Sequence, residues 1–189
     1  MTFFDFLASR RSVPARLLGE PGPAPDQLLR LLETATRVPD HGRLTPFRLL
    51  LIRDEARARL GEELARIRRR RESDVADKAL EKDRGRFGHA PLVIAVIARI
   101  DEAHPKIPAQ EQLLSAGCVA YNLLLGAQAL GLGAQWLTGW PAYDAEVAAL
   151  LGLRAGERTI AFVHLGTPRE DAPERPRPEW TELVSEWQP

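Results

Sequence analysis

Apolar residues follow two periods along this chain. Where they recur every three or four positions the spacing predicts helices, and where they cluster in short blocks it predicts buried strands. Thr2 is placed to cap a first helix with Phe3, Phe6 and Leu7 on one face, ending near Ser9. The stretch from Val13 to Pro25 holds four prolines and two glycines and reads as a connection. Pro25-Asp26 then opens a second helix with Leu28, Leu29, Leu31, Leu32 and Ala35 as its buried stripe. It stops near Arg37, because Val38 precedes Pro39 and is pushed out of helical geometry. A loop from Pro39 to Pro46 leads into a strand from Phe47 to Ile52. A charged helix from Asp54 to Arg71 turns Ala56, Leu60, Leu64 and Ile67 inward, and a shorter one follows from Val75 to Asp83. Leu92 to Ala98, rich in Val and Ile, reads as a central strand. Gln110 to Leu130 is apolar around most of its girth, which predicts a helix buried on nearly all sides. Ala134 to Thr138 and Thr159 to Leu165 read as strands, with a short helix from its cap at Asp144 to Leu151 between them.

The order of elements gives an α+β class and a single domain over 1–189, with 168–189 as a Pro-rich C-terminal arm. Pro168, Pro173, Pro176 and Pro178 exclude regular structure there, yet Trp180, Leu183, Val184 and Trp187 follow. Each aromatic side chain contributes on the order of 1.5–3 kcal/mol when buried. The arm is therefore expected either to fold back on its own protomer or to reach across a dimer interface.

Composition narrows the function classes. Twenty-six basic and 26 acidic residues leave a formal net charge of zero, so no global pull on nucleic acid is expected. The run Arg68 to Arg71 sits among Glu62, Glu63, Glu72 and Asp74 with no interleaved aromatic, and reads as a solvated helix face. The single cysteine, Cys118, excludes an intrachain disulfide and a cysteine zinc site, and reads as a small core residue. His41, His89, His104 and His164 lack metal-ligand spacing, so no metal is expected. The strongly apolar run Leu92 to Ala98 is far shorter than the roughly 20 residues a bilayer requires. Asp5 stands where a secretion signal carries bases, and Arg10-Arg11 arrives too early for an apolar signal core. The expectation is a cytoplasmic protein without a membrane partner.

Three short motifs carry candidate chemistry. In Arg10-Arg11-Ser12, two guanidiniums and a hydroxyl can grip a phosphate, although two solvated arginines closing a helix would carry the same letters. Arg37-Val38-Pro39-Asp40-His41 places an Arg and a His on one stiff loop, the kind of segment on which binding residues collect and on which a surface Arg and a turn His also occur. Gly131-Leu132-Gly133 superficially resembles a dinucleotide fingerprint, but it follows a helix and opens a strand, and Trp136 occupies the third glycine position. Trp136-Leu137-Thr138-Gly139, at a strand end, can offer a flat ring, a hydroxyl and backbone amides to a ligand.

Together these motifs, with Pro46-Phe47, Ser115-Ala116-Gly117-Cys118 and Leu165-Gly166-Thr167-Pro168, resemble the nitroreductase family of flavoproteins over nearly the whole chain, most closely its short YdjA-like branch. The resemblance implies a three-layer fold with a mostly antiparallel central sheet flanked by helices. It implies a homodimer with FMN at the interface and the C-terminal arm crossing to the partner. It implies that Arg10, Arg11 and Ser12 hold the phosphate and ribityl end from one protomer, that Arg37 and His41 reach the same flavin from the other, and that Trp136, Leu137 and Thr138 line it. The activity implied is NAD(P)H oxidation, with hydride passing through flavin N5 in a ping-pong cycle to a nitroaromatic, quinone or similar small-molecule acceptor. No side chain is then required as a catalytic acid or base, since the flavin carries the chemistry. Other functions compatible with the same letters are a flavin-consuming enzyme, another dehydrogenase on the same fold, or a non-catalytic dimeric binding module.

Overall fold

The block Leu92–Arg99 (β3) is the spine of the fold in a computed structural model that describes residues 1–188. Its side chains alternate between two cores. Leu92, Ile94, Val96 and Ala98 face one cluster, and Val93, Ala95 and Ile97 face another. A strand buried on both faces needs helices on both sides, which dictates three layers.

The strands are β1 (Leu18–Gly19), β2 (Phe47–Arg53), β3, β4 (Gly133–Leu137) and β5 (Glu157–Pro168). The order is β1-β5-β3-β2, with β4 also on β5, and every pairing is antiparallel. The helices are α1 (Phe3–Ser9), α2 (Pro25–Ala35), α3 (Glu55–Arg71), α4 (Asp77–Arg84), α5 (Ala109–Ala129) and α6 (Ala145–Leu150). Helices α2 and α5 cover one face with Leu31, Ala35, Val119 and Leu123. Leu64 and Ile67 of α3, Val147 of α6 and the loop residue Phe87 cover the other. The α+β reading, the antiparallel sheet and the flanking helices hold. Among the described residues no helix is long and apolar enough to cross a membrane.

Local chemistry explains the element ends. Thr2 and Asp5 form a reciprocal capping box on α1, with Thr2 N–H donating to Asp5 Oδ2 at 2.8 Å and Asp5 N–H to Thr2 Oγ1 at 3.2 Å. Asp144 caps α6 by accepting from Glu146 and Val147. Helix α2 stops at Ala35, two residues before the predicted end.

Four expectations need correction. β1 is absent from the sequence reading, because its two residues pair only where β5 offers an edge, at Leu18–Pro168 and Gly19–Thr167. β5 is longer than predicted and runs through Pro168, which lies at the strand's end, where a missing N–H costs little. Helix α5 is not buried all round within one chain. Its stripe of Leu114, Gly117 and Tyr121 lies away from α2 and the sheet, leaving Leu114 61% and Tyr121 44% exposed. On α1, Phe6 and Leu7 are half-buried, but Phe3 points outward with Phe4.

The arm touches its own chain as far as Ala172, which packs near Val13, Leu18 and Ala90, and through contacts of Glu174 and Arg177 with the Arg10–Arg11 segment. Beyond these, Trp180, Leu183, Val184 and Trp187 are all exposed.

The segment after α1 lies hard against β4. Val13 N–H donates to Ala134 O at 3.0 Å, and Ala15 N–H donates to Gln135 Oε1. Gly133 permits this approach: a Cβ there would sit 2.6 Å from Leu18 Cδ2 and 3.0 Å from Val13 Cγ2. Leu18 is fully buried and cannot yield. Gly133→Ala should therefore cost about 1–3 kcal/mol by overpacking. At this chain length that corresponds to a fall in Tm of about 2–4 °C per kcal/mol. Thermal unfolding of the variant checks it, and an unchanged Tm would refute the tight docking.

Candidate functional site

The docking of Val13–Ala15 on β4 sets two of the three predicted motifs along one strand, one beside its start and the other at its end. Arg10, Arg11 and Ser12 immediately precede the docked segment, and Trp136, Leu137 and Thr138 end the strand that receives it. Arg10 Nη1 reaches Ser12 Oγ at 3.4 Å and meets no carboxylate among the described residues. Arg11 differs. Its guanidinium turns back to Ala8 O at 2.8 Å and pairs with Glu174 of the arm. Of the two arginines, Arg10 is the one whose charge is free for a ligand.

A bulge shapes the other half of this surface. β3 pairs Val96 with Ala161 and Ile97 with Thr159, leaving Ile160 as the extra residue on β5. The freed Ile160 carbonyl accepts from Trp136 Nε1 at 3.2 Å. With its N–H satisfied, the indole stands as a flat wall. Beside it opens a cleft of about 700 Å³ lined largely by apolar side chains, including Leu113, Leu114, Ile160 and Tyr143.

Arg37 and His41 lie elsewhere in the chain and are both exposed. Their loop is fastened to α5. Asn122 Nδ2 donates to Arg37 O at 3.1 Å, Ser115 Oγ to Pro39 O at 2.7 Å, and His41 Nδ1 lies 2.7 Å from Glu111 Oε2. Asp40 braces the loop by accepting from the N–H groups of Leu44 and Thr45. Among the described residues no hydrogen bond links either residue to Arg10, Ser12 or the Trp136–Thr138 segment. Cys118 is half-buried on α5 rather than in the core.

A group of charged residues next to β4 escaped the sequence reading. Asp83 of α4 is buried and accepts from Arg68 Nε at 2.5 Å, Trp140 Nε1 at 3.0 Å and Arg86 Nη2 at 3.2 Å. The Arg68 guanidinium also lies 5.5 Å from the Trp140 ring centroid. The Arg68–Arg71 run is thus not simply a solvated face: Arg68 is tied to α4, while Arg70 and Arg71 pair with Glu146, and Arg71 also with Asp144. The available signal was Asp83 itself, three residues after the buried Leu80 and hence on the same helix face.

His164 of β5 completes this region. Its ring stacks on Phe87 at 5.9 Å, and Nδ1 has no partner among the described residues. Burial, with the nearby positive charge of His89 and Arg86, pushes its pKa down to about 4. An unfolded chain takes up that proton near pH 6.5. Between these values the unfolded state binds more protons, so stability falls as the pH drops from about 6.5 to about 4, by on the order of 3 kcal/mol.

Comparison with known proteins agrees with the architecture. A model of the family described as "Nitroreductase family" matches residues 7–167. The Haemophilus influenzae protein named "Putative NAD(P)H nitroreductase" is 37% identical over 172 residues, covering 91% of each chain. "Putative NAD(P)H nitroreductase YdjA" of Escherichia coli K12 is 36% identical over 169 residues, covering 89% of this chain and 90% of its own. Among solved structures, "a putative nitroreductase in complex with fmn" from Desulfovibrio desulfuricans superposes with a TM-score of 0.73 at 23% identity, covering 98% of this chain and 97% of its own.

His164→Phe keeps the stack on Phe87 and removes the unpartnered nitrogen. The loss of stability between pH 7 and pH 4.5 should then be about 2–3 kcal/mol smaller than in the wild type, as read from urea unfolding at both pH values. An unchanged acid sensitivity would contradict the buried neutral imidazole.

Proposed function

We propose that this chain, which belongs to the nitroreductase family, is a cytoplasmic FMN-dependent NAD(P)H oxidoreductase that works as a homodimer. The observation that carries this reading is the docking of Val13 on Ala134, which sets Arg10 and Ser12 beside the start of the strand whose far end carries Trp136–Thr138. The donor set fits the group. A phosphate dianion needs a charged donor in place of the water it loses, and Arg10 beside a hydroxyl offers that without a competing carboxylate. Trp136 supplies a flat apolar wall of the sort that suits a ring system. The relative from Desulfovibrio desulfuricans, of the same fold, carries FMN.

Each residue then has a role. Arg10 and Ser12 bind the phosphate end, with Arg11 contributing if Glu174 releases it. Trp136, Leu137 and Thr138 orient the ring. Arg37 and His41, on a loop anchored to α5, reach the flavin of the partner protomer. When bound, FMN would supply two-electron hydride chemistry between NAD(P)H and a nitroaromatic, quinone or similar acceptor, in a ping-pong cycle. The apolar cleft beside Trp136 admits the planar donor and acceptor in turn and limits water there. Two exposed apolar features support the dimer: Tyr121 of α5, and the arm residues Trp180, Leu183, Val184 and Trp187. The arm crosses to the partner, where its tryptophans are buried.

The visible spectrum of the purified protein, and of its supernatant after heat release, tests the cofactor. Two flavin bands with FMN in the supernatant are expected, and a colourless protein that takes up no FMN would overturn the reading. Arg10→Ala should weaken FMN binding by about 1–3 kcal/mol, roughly 5–150-fold, in a fluorescence titration. Sharing of the site is tested by mixing Arg10→Ala protomers with His41→Ala protomers. One site of each heterodimer is then intact, so flavin occupancy should recover toward half. Absence of recovery would place all these contacts within one protomer.

A further inference from the structure

Three side-chain nitrogens are buried without a partner among the described residues: Arg57 Nε, Arg86 Nε and His164 Nδ1. All belong to groups gathered around the turn from Gly85 to Ala90. Arg57 Nη1 donates to Gly88 O and Ala90 O, and His164 stacks on Phe87. Arg86 lies in that turn, and its far end reaches β4's exit.

The guanidinium of Arg86 is held in place. Nη2 donates to Asp83, and Asp83 is itself fixed by Arg68 and Trp140. Nη1 has no acceptor among the described residues and lies where residue 139 would carry a side chain: a Cβ on Gly139 would be 2.8 Å from it. Gly139 adopts φ 70°, so both the backbone conformation and the contact call for glycine. Gly139 directly follows Thr138. Charge balance favours a residual positive field here. The single carboxylate of Asp83 is divided among Arg68, Trp140 and Arg86, and Glu72, the other acid near Arg68, meets it at 3.6 Å through Nη1 on an exposed side chain.

We propose that Arg86 is a cofactor-site cation, clamped by Asp83 against Gly139, that stabilises negative charge on the reduced flavin from the Thr138 end. The assignment rests on the flavin reading above. A guanidinium suits the task because it stays charged at every working pH and is cheaper to desolvate than an ammonium. Because Asp83 fixes it beforehand, little reorganisation accompanies reduction.

The midpoint potential of the FMN-loaded full-length protein tests this. Arg86→Gln should lower the preference for reduced over oxidised FMN about tenfold, which for a two-electron couple is about 30 mV more negative. Arg86→Lys, keeping the charge, should bring the potential back toward wild type. Asp83→Asn should move it in the opposite direction, since it uncovers the charge of Arg86. A purely structural clamp would lower Tm and flavin occupancy while leaving the potential of the bound fraction unchanged, and that result overturns the assignment while leaving the flavin reading intact. Should Arg86→Gln fail to fold, an unshifted potential in Asp83→Asn overturns it equally. A wild-type protein that takes up no FMN overturns the flavin reading, and the assignment with it.

Discussion

A strand pair buried on both faces leaves little room for polar groups in the middle of a sheet. Along β3, every residue from Leu92 to Ala98 is buried, and Ala161, Phe162, Val163 and Leu165 of β5 match them. Function is thereby confined to strand ends and to whatever docks on the flanks. β5 sets where those places are. Its C-terminal end extends past the core to pair with β1, which brings the segment after α1 alongside β4. Its bulge at Ile160 frees the carbonyl that holds Trp136. The basic segment and the aromatic wall are thus positioned by two irregularities of one strand.

How much of this was legible depends on the range of the interaction that decides it. β2, β3, α2 and α3 follow from apolar period, because burial on a defined face leaves a local signature. β1 could not be read, since two residues pair there only because Pro168 is brought alongside them from the other end of the chain. The apolar girth of α5 announces burial but not by what, and one chain leaves Leu114 and Tyr121 uncovered. The arginine run looked solvated when only its sequence neighbours were counted, yet its partners Asp83, Asp144 and Glu146 sit on other elements. The same divide runs through the site. The order of Arg10-Arg11-Ser12 and Trp136-Leu137-Thr138 was visible as motif. That Arg11 would be taken by Glu174, and that Arg86 would matter at all, emerges only from contacts distant in sequence.

The charged group beside β4 also has to survive the conditions under which the rest of the fold holds. Burial pushes the Asp83 carboxyl up, but hydrogen bonds from Trp140, Arg68 and Arg86 together outweigh it and hold its pKa below the ordinary carboxylate value. A depressed carboxylate lends its full stability above its unfolded pKa and loses it only as the pH falls through the folded one. His164 behaves differently, because its buried neutral ring begins to cost stability already near pH 6.5. On acidification the imidazole therefore weakens the sheet well before the Asp83 carboxylate lets go of its two arginines. Asp83 therefore remains an ionised partner for Arg86 at pH values where the buried imidazole already costs stability. A charge that does not titrate with its surroundings can set an electrostatic environment at a strand end, whereas a histidine there would make that environment depend on pH.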